Sequence, residues 1–220
     1  MHLPSVGKET LETQVYQALR TVILEGRLAG GERLIQDELA TKFGTSRIPV
    51  RDALKRLEAD GLVTLDGRGS YIVNSFGVAD LKEIYDLRAL LESYATARAV
   101  AKLSANDLIE LENLVEDMVQ AVQIRDIERY MHLNLIFHTR IYEACQERRM
   151  FHIIKGLWSG FPIFTPVSVP GQLEHSIVEH QAVLTALKER NVDAAKEAMR
   201  THIQNACDLL LTHLPQIKGK

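Results

Sequence analysis

Four side chains in the second half of the chain have the types and the spacing of a metal site. Asn134 and His138 are four residues apart in a helical run, so they share a face. His180 and His202 fall on what read as consecutive helices. Two antiparallel neighbours could set those imidazoles side by side. Three imidazoles and one amide oxygen facing a bundle core could hold a divalent metal, because bundles build such sites from facing helices. Nitrogen-rich ligation suits Zn, Ni, Cu or Fe and does not choose among them. The chain carries 8 histidines, and some share a helix face by chance. His2, His132, His152, His175 and His213 read as ordinary surface or core residues. Trp158, Phe161 and Phe164 read as core or pocket wall.

A second chemistry lies in TSRIPVRDALKRLEADGLV, residues 45–63. Arg47, Arg51 and Lys55 stack on one helical face, with Arg56 near its border. Leu54, Leu57 and Leu62 fall on the other side and would seat the helix on a core. Thr45 or Ser46 can cap the first turn. Pro49 falls within that turn, where its missing N–H costs little. Gly61 suits a left-handed stop. Upstream, Gln36 to Phe43 reads as a short helix, with Gly44 as the turn between the two. A helix, a Gly turn and a basic second helix make the helix-turn-helix pattern, whose second helix enters the DNA major groove. Leu62 to Leu65 and Ser70 to Val73 then read as strands around Asp66-Gly67-Arg68-Gly69, where Asp-Gly is a favoured tight-turn pair. Such a wing would carry Arg68 to its tip, within reach of phosphate or the minor groove.

These side chains need two kinds of scaffold. Val15 to Glu25 reads as an amphipathic helix ending at Gly26, and Arg27 to Leu34 as a Gly-containing loop. With the helix-turn-helix and hairpin they make a small domain, residues 1–75. Asn74 to Gly77 is a short linker. From there the pattern is helical alone, and residues 78–215 read as a second domain. Its helices are expected over Ala79–Leu103, Ser104–Arg125, Asp126–Cys145, Arg148 to about Gly160, Gln172–Arg190 and Val192–His213. Ser104 is a good N-cap followed by Asp107. The prolines of FPIFTPVSVPG argue against a continuous helix between the fourth and fifth. The fold class is therefore mostly α, a winged helix-turn-helix followed by an all-α six-helix bundle.

Composition is that of an ordinary globular chain of 220 residues with net charge −3. No apolar run reaches the ~18 residues of a membrane span, so no membrane partner is expected. The N-terminus lacks a signal-peptide core. Cys145 and Cys207 are too few and too distant for a disulfide framework and suit a cytoplasmic protein. Charge is focused rather than spread. Residues 42–56 hold Lys42, Arg47, Arg51, Lys55 and Arg56 against Asp52 alone. Binding to nucleic acid should be modest where non-specific and should weaken as salt rises.

The first domain closely resembles the winged helix of the GntR family of bacterial transcription regulators. The matching stretches are LRTVILEGRLAGGERL, QDELATKFGTSRIPVRDALKRLEADGLV and GRGSYIV. The second resembles the all-helical FCD effector domain of the FadR-like subgroup, in DLRALLESYATARAVAKL, NLIFHTRIYEA and EHQAVLTALKERNVDAAKEAMRTHI. Six helices make it similar to the VanR-type variant. The resemblance implies DNA contacts by Ser46, Arg47 and Arg51 of the reading helix and by Arg68 and Gly69 of the wing. The family's further basic contact in the preceding helix has no counterpart, since this chain has Gln36 and Asp37 there.

The resemblance also implies a divalent metal, Zn or Ni foremost, on Asn134, His138, His180 and His202. The family's first ligand is often Asp, and a neutral amide is a weaker donor. A small carboxylate effector is expected at the metal, gripped by Arg88, which could otherwise form an exposed salt bridge with Glu92. The implied protein is a homodimeric, cytoplasmic repressor of a double-stranded DNA operator, not an enzyme. Alternatives are a metal sensor in which the ion is the signal, a structural metal in a constitutive binder, and a metal-dependent hydrolase. No Glu or Asp is placed as a general base for the last of these.

Overall fold

The computed structural model describes residues 9–24, 27–67, 69–75, 77–159 and 171–217. The chain divides into two compact units, with the boundary between residues 76 and 77.

The first unit runs α1 (Leu11–Leu24), β1 (Arg33–Leu34), α2 (Gln36–Lys42), α3 (Arg47–Ala59), β2 (Val63–Leu65) and β3 (Tyr71–Val73). Helix α3 is the basic helix of the sequence. Its Val50, Ala53, Leu54 and Leu57 are fully buried against Val15, Leu19 and Leu62 among others, while Arg47, Arg51 and Lys55 face out. Burying each such Leu contributes on the order of 2 kcal/mol. Ser46 occupies the N-cap position but makes no capping hydrogen bond through its side chain. Gly44 and Gly61 both adopt positive φ, at 61° and 72°, as the turn and the helix stop require.

One expectation is corrected here. The segment expected as a Gly loop over residues 27–34 contains β1, which pairs antiparallel with β3, Arg33 opposite Ile72 and Leu34 opposite Tyr71. The sheet order is β1-β3-β2. Close approach explains one glycine of that loop: a Cβ on Gly30 would lie 2.9 Å from the Ser75 backbone. The wing turn forms on the four residues expected: the Gly69 N–H donates to the Asp66 carbonyl at 3.1 Å, and the Asp66 N–H to the Ser70 carbonyl at 2.7 Å. β2 and β3 pair out to Leu65 and Tyr71 on either side of it. Gly69 takes the left-handed conformation, at φ 84°, and Gly67 does not. Asp66 closes the loop, accepting from the Ser70 N–H at 2.8 Å and from Arg33 at 2.6 Å. Arg68, and the helix end expected at Glu25 and Gly26, lie outside the described residues.

Among its described residues the second unit has helices and no strands: α4 (Val78–Ala99), α5 (Ala105–Gln123), α6 (Ile127–Ala144), α7 (Arg148–Ser159), α8 (Gln172–Lys188) and α9 (Val192–Ile217). These are the six helices expected, with α9 running on to Ile217. Ser104 and Asp107 form the capping box of α5, with the Ser104 N–H donating to Asp107 at 2.7 Å and the Asp107 N–H to Ser104 Oγ at 3.1 Å. Asp126 caps α6 through the Arg129 N–H. α4 packs on α9 and α6, α5 on α6 and α8, and α8 on α9. The core between them holds Tyr85, Leu111, Met118, Phe137, Ile141, Tyr142 and Leu187, all nearly inaccessible. It also holds a polar stripe on α4, where Arg88, Glu92 and Thr96 recur every four residues and are all buried. Of the connection expected between the fourth and fifth helices, residues 160–170, with Phe161 and Phe164, lie outside the described residues. No helix among the described residues is long and apolar enough to cross a membrane.

Candidate metal centre and candidate nucleic-acid interface

His138 on α6, His180 on α8 and His202 on α9 meet in the core of the second unit. The Nε2 of His138 lies 3.2 Å from that of His180 and 3.3 Å from that of His202. Ligand atoms of all three fall within 4.8 Å of one another. Facing helices therefore bring together three imidazoles that are distant in sequence. Burial, followed by the neighbouring imidazole of His202, pushes the pKa values of His138 and His180 well below the usual histidine value. At His138 the charges of His180 and Arg88 push the same way. Neutral imidazoles are the form that ligates metal.

The outer hydrogen bonds orient the rings. His202 places Nδ1 2.7 Å from Glu179 Oε2, and Glu179 is held in turn by the Asn205 amide at 2.6 Å. His138 places Nδ1 3.0 Å from the Tyr142 hydroxyl, which donates to Glu92 Oε2 at 2.6 Å. A carboxylate on one imidazole nitrogen leaves the other bare, which is the outer support typical of metal-bound histidine. The facing Nε2 atoms of His138 and His202, 3.3 Å apart, are placed to share one proton or one cation. His180 Nδ1 is buried without a hydrogen-bond partner. The residues thus fit a divalent transition metal: imidazole nitrogen donors converge from three helices, with outer support on two of them.

A cavity of about 90 Å³ opens beside the cluster. Its wall includes Arg88, Asn134, His138, Trp158 and His202. Asn134 is thus in the same cavity as two of the histidines, half-buried on α6. His180 is not among the lining residues and completes the cluster without facing the cavity. Such a volume is room for several waters or one small organic molecule.

Arg88 does pair with Glu92, Nε to Oε1 at 2.7 Å, but the pair is buried and not exposed. The guanidinium lies over the Tyr85 ring, 4.7 Å from its centre. Glu92 also receives the Trp158 indole N–H at 2.9 Å. Trp158 is thus both pocket wall and hydrogen-bond donor. Tyr130, whose hydroxyl meets Ser176 Oγ at 2.8 Å, lines the same cavity. Burial pushes its pKa up to about 12, so it stays a neutral donor.

Sequence reasoning missed Glu92, Tyr142 and Glu179 as parts of this site. Tyr142 carried a usable signal, since it follows Asn134 and His138 at the same four-residue step. Glu179 carried none, because its partner His202 is on another helix.

In the first unit, Arg47 and Arg51 are exposed on α3, with only surface pairs to Asp37 at 3.0 Å and Asp52 at 3.5 Å. Such pairs are weak and easily exchanged for phosphate or a base edge. Arg56 differs. It stacks on Tyr16, 3.9 Å from the ring centre, and pairs with Glu12 on α1. It fastens α3 to α1. Ser46 is exposed at the start of α3, and Gly69 is in the wing turn.

Comparison with known proteins agrees with both halves. Residues 11–73 match the family model of bacterial regulatory proteins of the gntR family, and residues 83–205 match the FCD domain. The chain is 30% identical over 215 residues to the HTH-type transcriptional regulator McbR of Escherichia coli (strain K12), covering 94% of this chain and 97% of that protein. It is 26% identical to the HTH-type transcriptional repressor RspR of the same strain, covering 89% of this chain and 87% of that one. Among solved structures, E. coli McbR/YncC superposes with a TM-score of 0.77 at 29% identity, covering 94% of this chain and all of that one.

Proposed function

The chain belongs to the GntR family of bacterial transcriptional regulators, with an FCD domain behind the winged helix, and on that footing we propose a cytoplasmic, homodimeric repressor controlled by a small carboxylate. His138, His180 and His202, with Asn134, would hold a divalent metal such as Zn or Ni. The bound ion would supply a Lewis-acid anchor for the effector's carboxylate. Arg88 would grip the same anion through the guanidinium fork. Gln172, Ser176 and Tyr130 line the same cavity and would select among effectors by their polar groups.

Ser46, Arg47 and Arg51 would enter the major groove of each half-site of a near-palindrome, with Arg68 and Gly69 of the wing beside them. Ser46 and the α3 N-terminus suit phosphate, and the arginines suit guanine. The effector would bias the dimer toward a geometry whose two reading helices no longer match both half-sites. It can do so only by binding that geometry more tightly.

The observation that carries this reading is the convergence of three imidazoles, two of them lining a cavity that a buried arginine also lines, in an FCD domain. The test starts from duplexes selected from a randomised pool by the purified protein. Their affinity is followed by fluorescence anisotropy with Zn or Ni present, across a panel of short mono- and dicarboxylates. At least one carboxylate should weaken binding in the metal-loaded protein and not in the His138→Ala variant. Affinity indifferent to every carboxylate, with or without metal, would leave the effector reading without support.

A further inference from the structure

We propose that Glu92, acting through Tyr142, sets which ring nitrogen of His138 carries the proton, and so aims a bare Nε2 into the histidine cluster. The inference rests on the metal-site reading above but concerns the chain's own protons. Neither residue touches the cluster's centre, so both are positioning residues.

The argument is a count of protons along one hydrogen-bonded chain. Glu92 is fully enclosed and meets three groups: Arg88 Nε at 2.7 Å, Trp158 Nε1 at 2.9 Å and the Tyr142 hydroxyl at 2.6 Å. Guanidinium and indole can only donate, and a carboxylate can only accept. The hydroxyl carries one proton. Its other possible acceptors are the uncharged His138 Nδ1 at 3.0 Å and the Met199 sulfur at 3.3 Å, both weaker than a charged carboxylate at 2.6 Å, so the proton goes to the carboxylate. The Tyr142 oxygen then faces His138 Nδ1, at 3.0 Å, as an acceptor. His138 must donate there. A neutral imidazole has a single N–H, so Nε2 is left bare, and Nε2 is the atom that meets His180 and His202. Glu179 does for His202 in one step what Glu92 does for His138 in two. One carboxylate thereby serves both halves of the site: it holds Arg88 by Nε and fixes His138 through a phenol.

Replacing Glu92 by glutamine reverses the chain. The amide oxygen must stay with Arg88 and Trp158, which have no lone pair to offer. The amide NH2 then faces Tyr142 and donates to it. The hydroxyl proton turns to His138 Nδ1, and the imidazole proton moves to Nε2, where it blocks ligation. Tyr142→Phe is milder: it removes the acceptor and leaves both tautomers open.

The experiment is two-bond proton–nitrogen correlation on the full, metal-free chain labelled with 15N-histidine, His138 being identified by its loss in His138→Gln. Zn affinity is measured alongside by competition with a chromophoric chelator. The native chain should show a bare Nε2 at His138. Tyr142→Phe should show mixed tautomers and bind Zn about 10–100-fold more weakly, the usual effect of losing an outer partner. Glu92→Gln should show the proton on Nε2 and lose at least as much. A native proton on Nε2, or a tautomer unmoved by Tyr142→Phe, would overturn the proposal, whether or not Glu92→Gln folds. A tautomer that follows Glu92 in a chain that binds no Zn would sink the metal reading and leave this inference standing.

Discussion

Arg88 and Glu92 form an ion pair inside the helical unit, with Nε 2.7 Å from a carboxylate oxygen that solvent does not reach. Burial opposes the guanidinium's charge, and Glu92, with Tyr85 and Tyr142, more than offsets it. Removing one partner would strand the other. Arg88→Ala should therefore destabilise the protein by about 3–5 kcal/mol, measured by urea unfolding. Arg88→Lys keeps a charge for Glu92 but loses the planar fork. It should fold, and should need at least about tenfold more carboxylate to release DNA, a loss of ~1.4 kcal/mol. An unchanged carboxylate response in Arg88→Lys would remove Arg88 from the effector site.

Two arginines of α3 should separate cleanly. Arg51→Ala should leave the unfolding midpoint unchanged and weaken the selected duplex by ~1–3 kcal/mol, about five- to 150-fold, if it reads a base. Arg56→Ala should do the opposite in emphasis. It loses the stack on Tyr16 and the pair with Glu12, and should destabilise the fold by about 0.5–2 kcal/mol. Full-affinity DNA binding by Arg51→Ala would contradict its assignment.

The metal-free protein should lose stability in mild acid. Burial and the facing imidazole of His202 hold His138 and His180 neutral in the native state. The unfolded chain returns them to about 6.5. Above that value both states are neutral, so the pair adds no pH dependence. Below it the unfolded chain takes up protons that the native chain refuses, and stability falls as pH falls. Each group can steepen the fall by up to ~1.4 kcal/mol per pH unit. Unfolding curves between about pH 7.5 and pH 5 should show it, with a shallower slope in His180→Gln. A slope that His180→Gln leaves unchanged would contradict this origin.

The helix ends offer a stabilising change. Gln146, just beyond α6, is exposed and holds φ at 58°, with its N–H on the Glu143 carbonyl at 3.0 Å. A side chain in that conformation costs about 1–2 kcal/mol, and glycine returns roughly half as much in unfolded-chain entropy. Gln146→Gly should raise stability by about 0.5–1 kcal/mol, and Gln146→Ala should not. Gly61→Ala, at φ 72°, should lower it by a similar amount. A destabilised Gln146→Gly would show that its side chain contributes more than the strain removes.

How far the sequence could be read follows from where each partner lies. Helix α3 was legible because its cap position, apolar side and glycine stop are all within one short segment. The histidines were legible because four-residue spacing on α6 put Asn134 and His138 on one face. Strand β1 was not, since two residues in a glycine loop become a strand only by pairing with β3, far along the chain. The wing turn was legible because Asp66 to Gly69 closes on itself, and only the Arg33 side chain that meets Asp66 comes from elsewhere. The polar stripe of α4 reads as solvent-facing on its own. Its partners Tyr142 and Trp158 come from α6 and α7, so only the assembled bundle turns Glu92 inward.

The most direct test of the account is the metal content of the purified protein by elemental mass spectrometry, before and after incubation with Zn or Ni, beside a His180→Ala, His202→Ala variant. The three converging Nε2 atoms predict about one transition-metal ion per chain, lost in the variant. No ion in either protein, even after incubation, would contradict the metal centre, and any effector would then have to be recognised by Arg88 and the cavity walls alone.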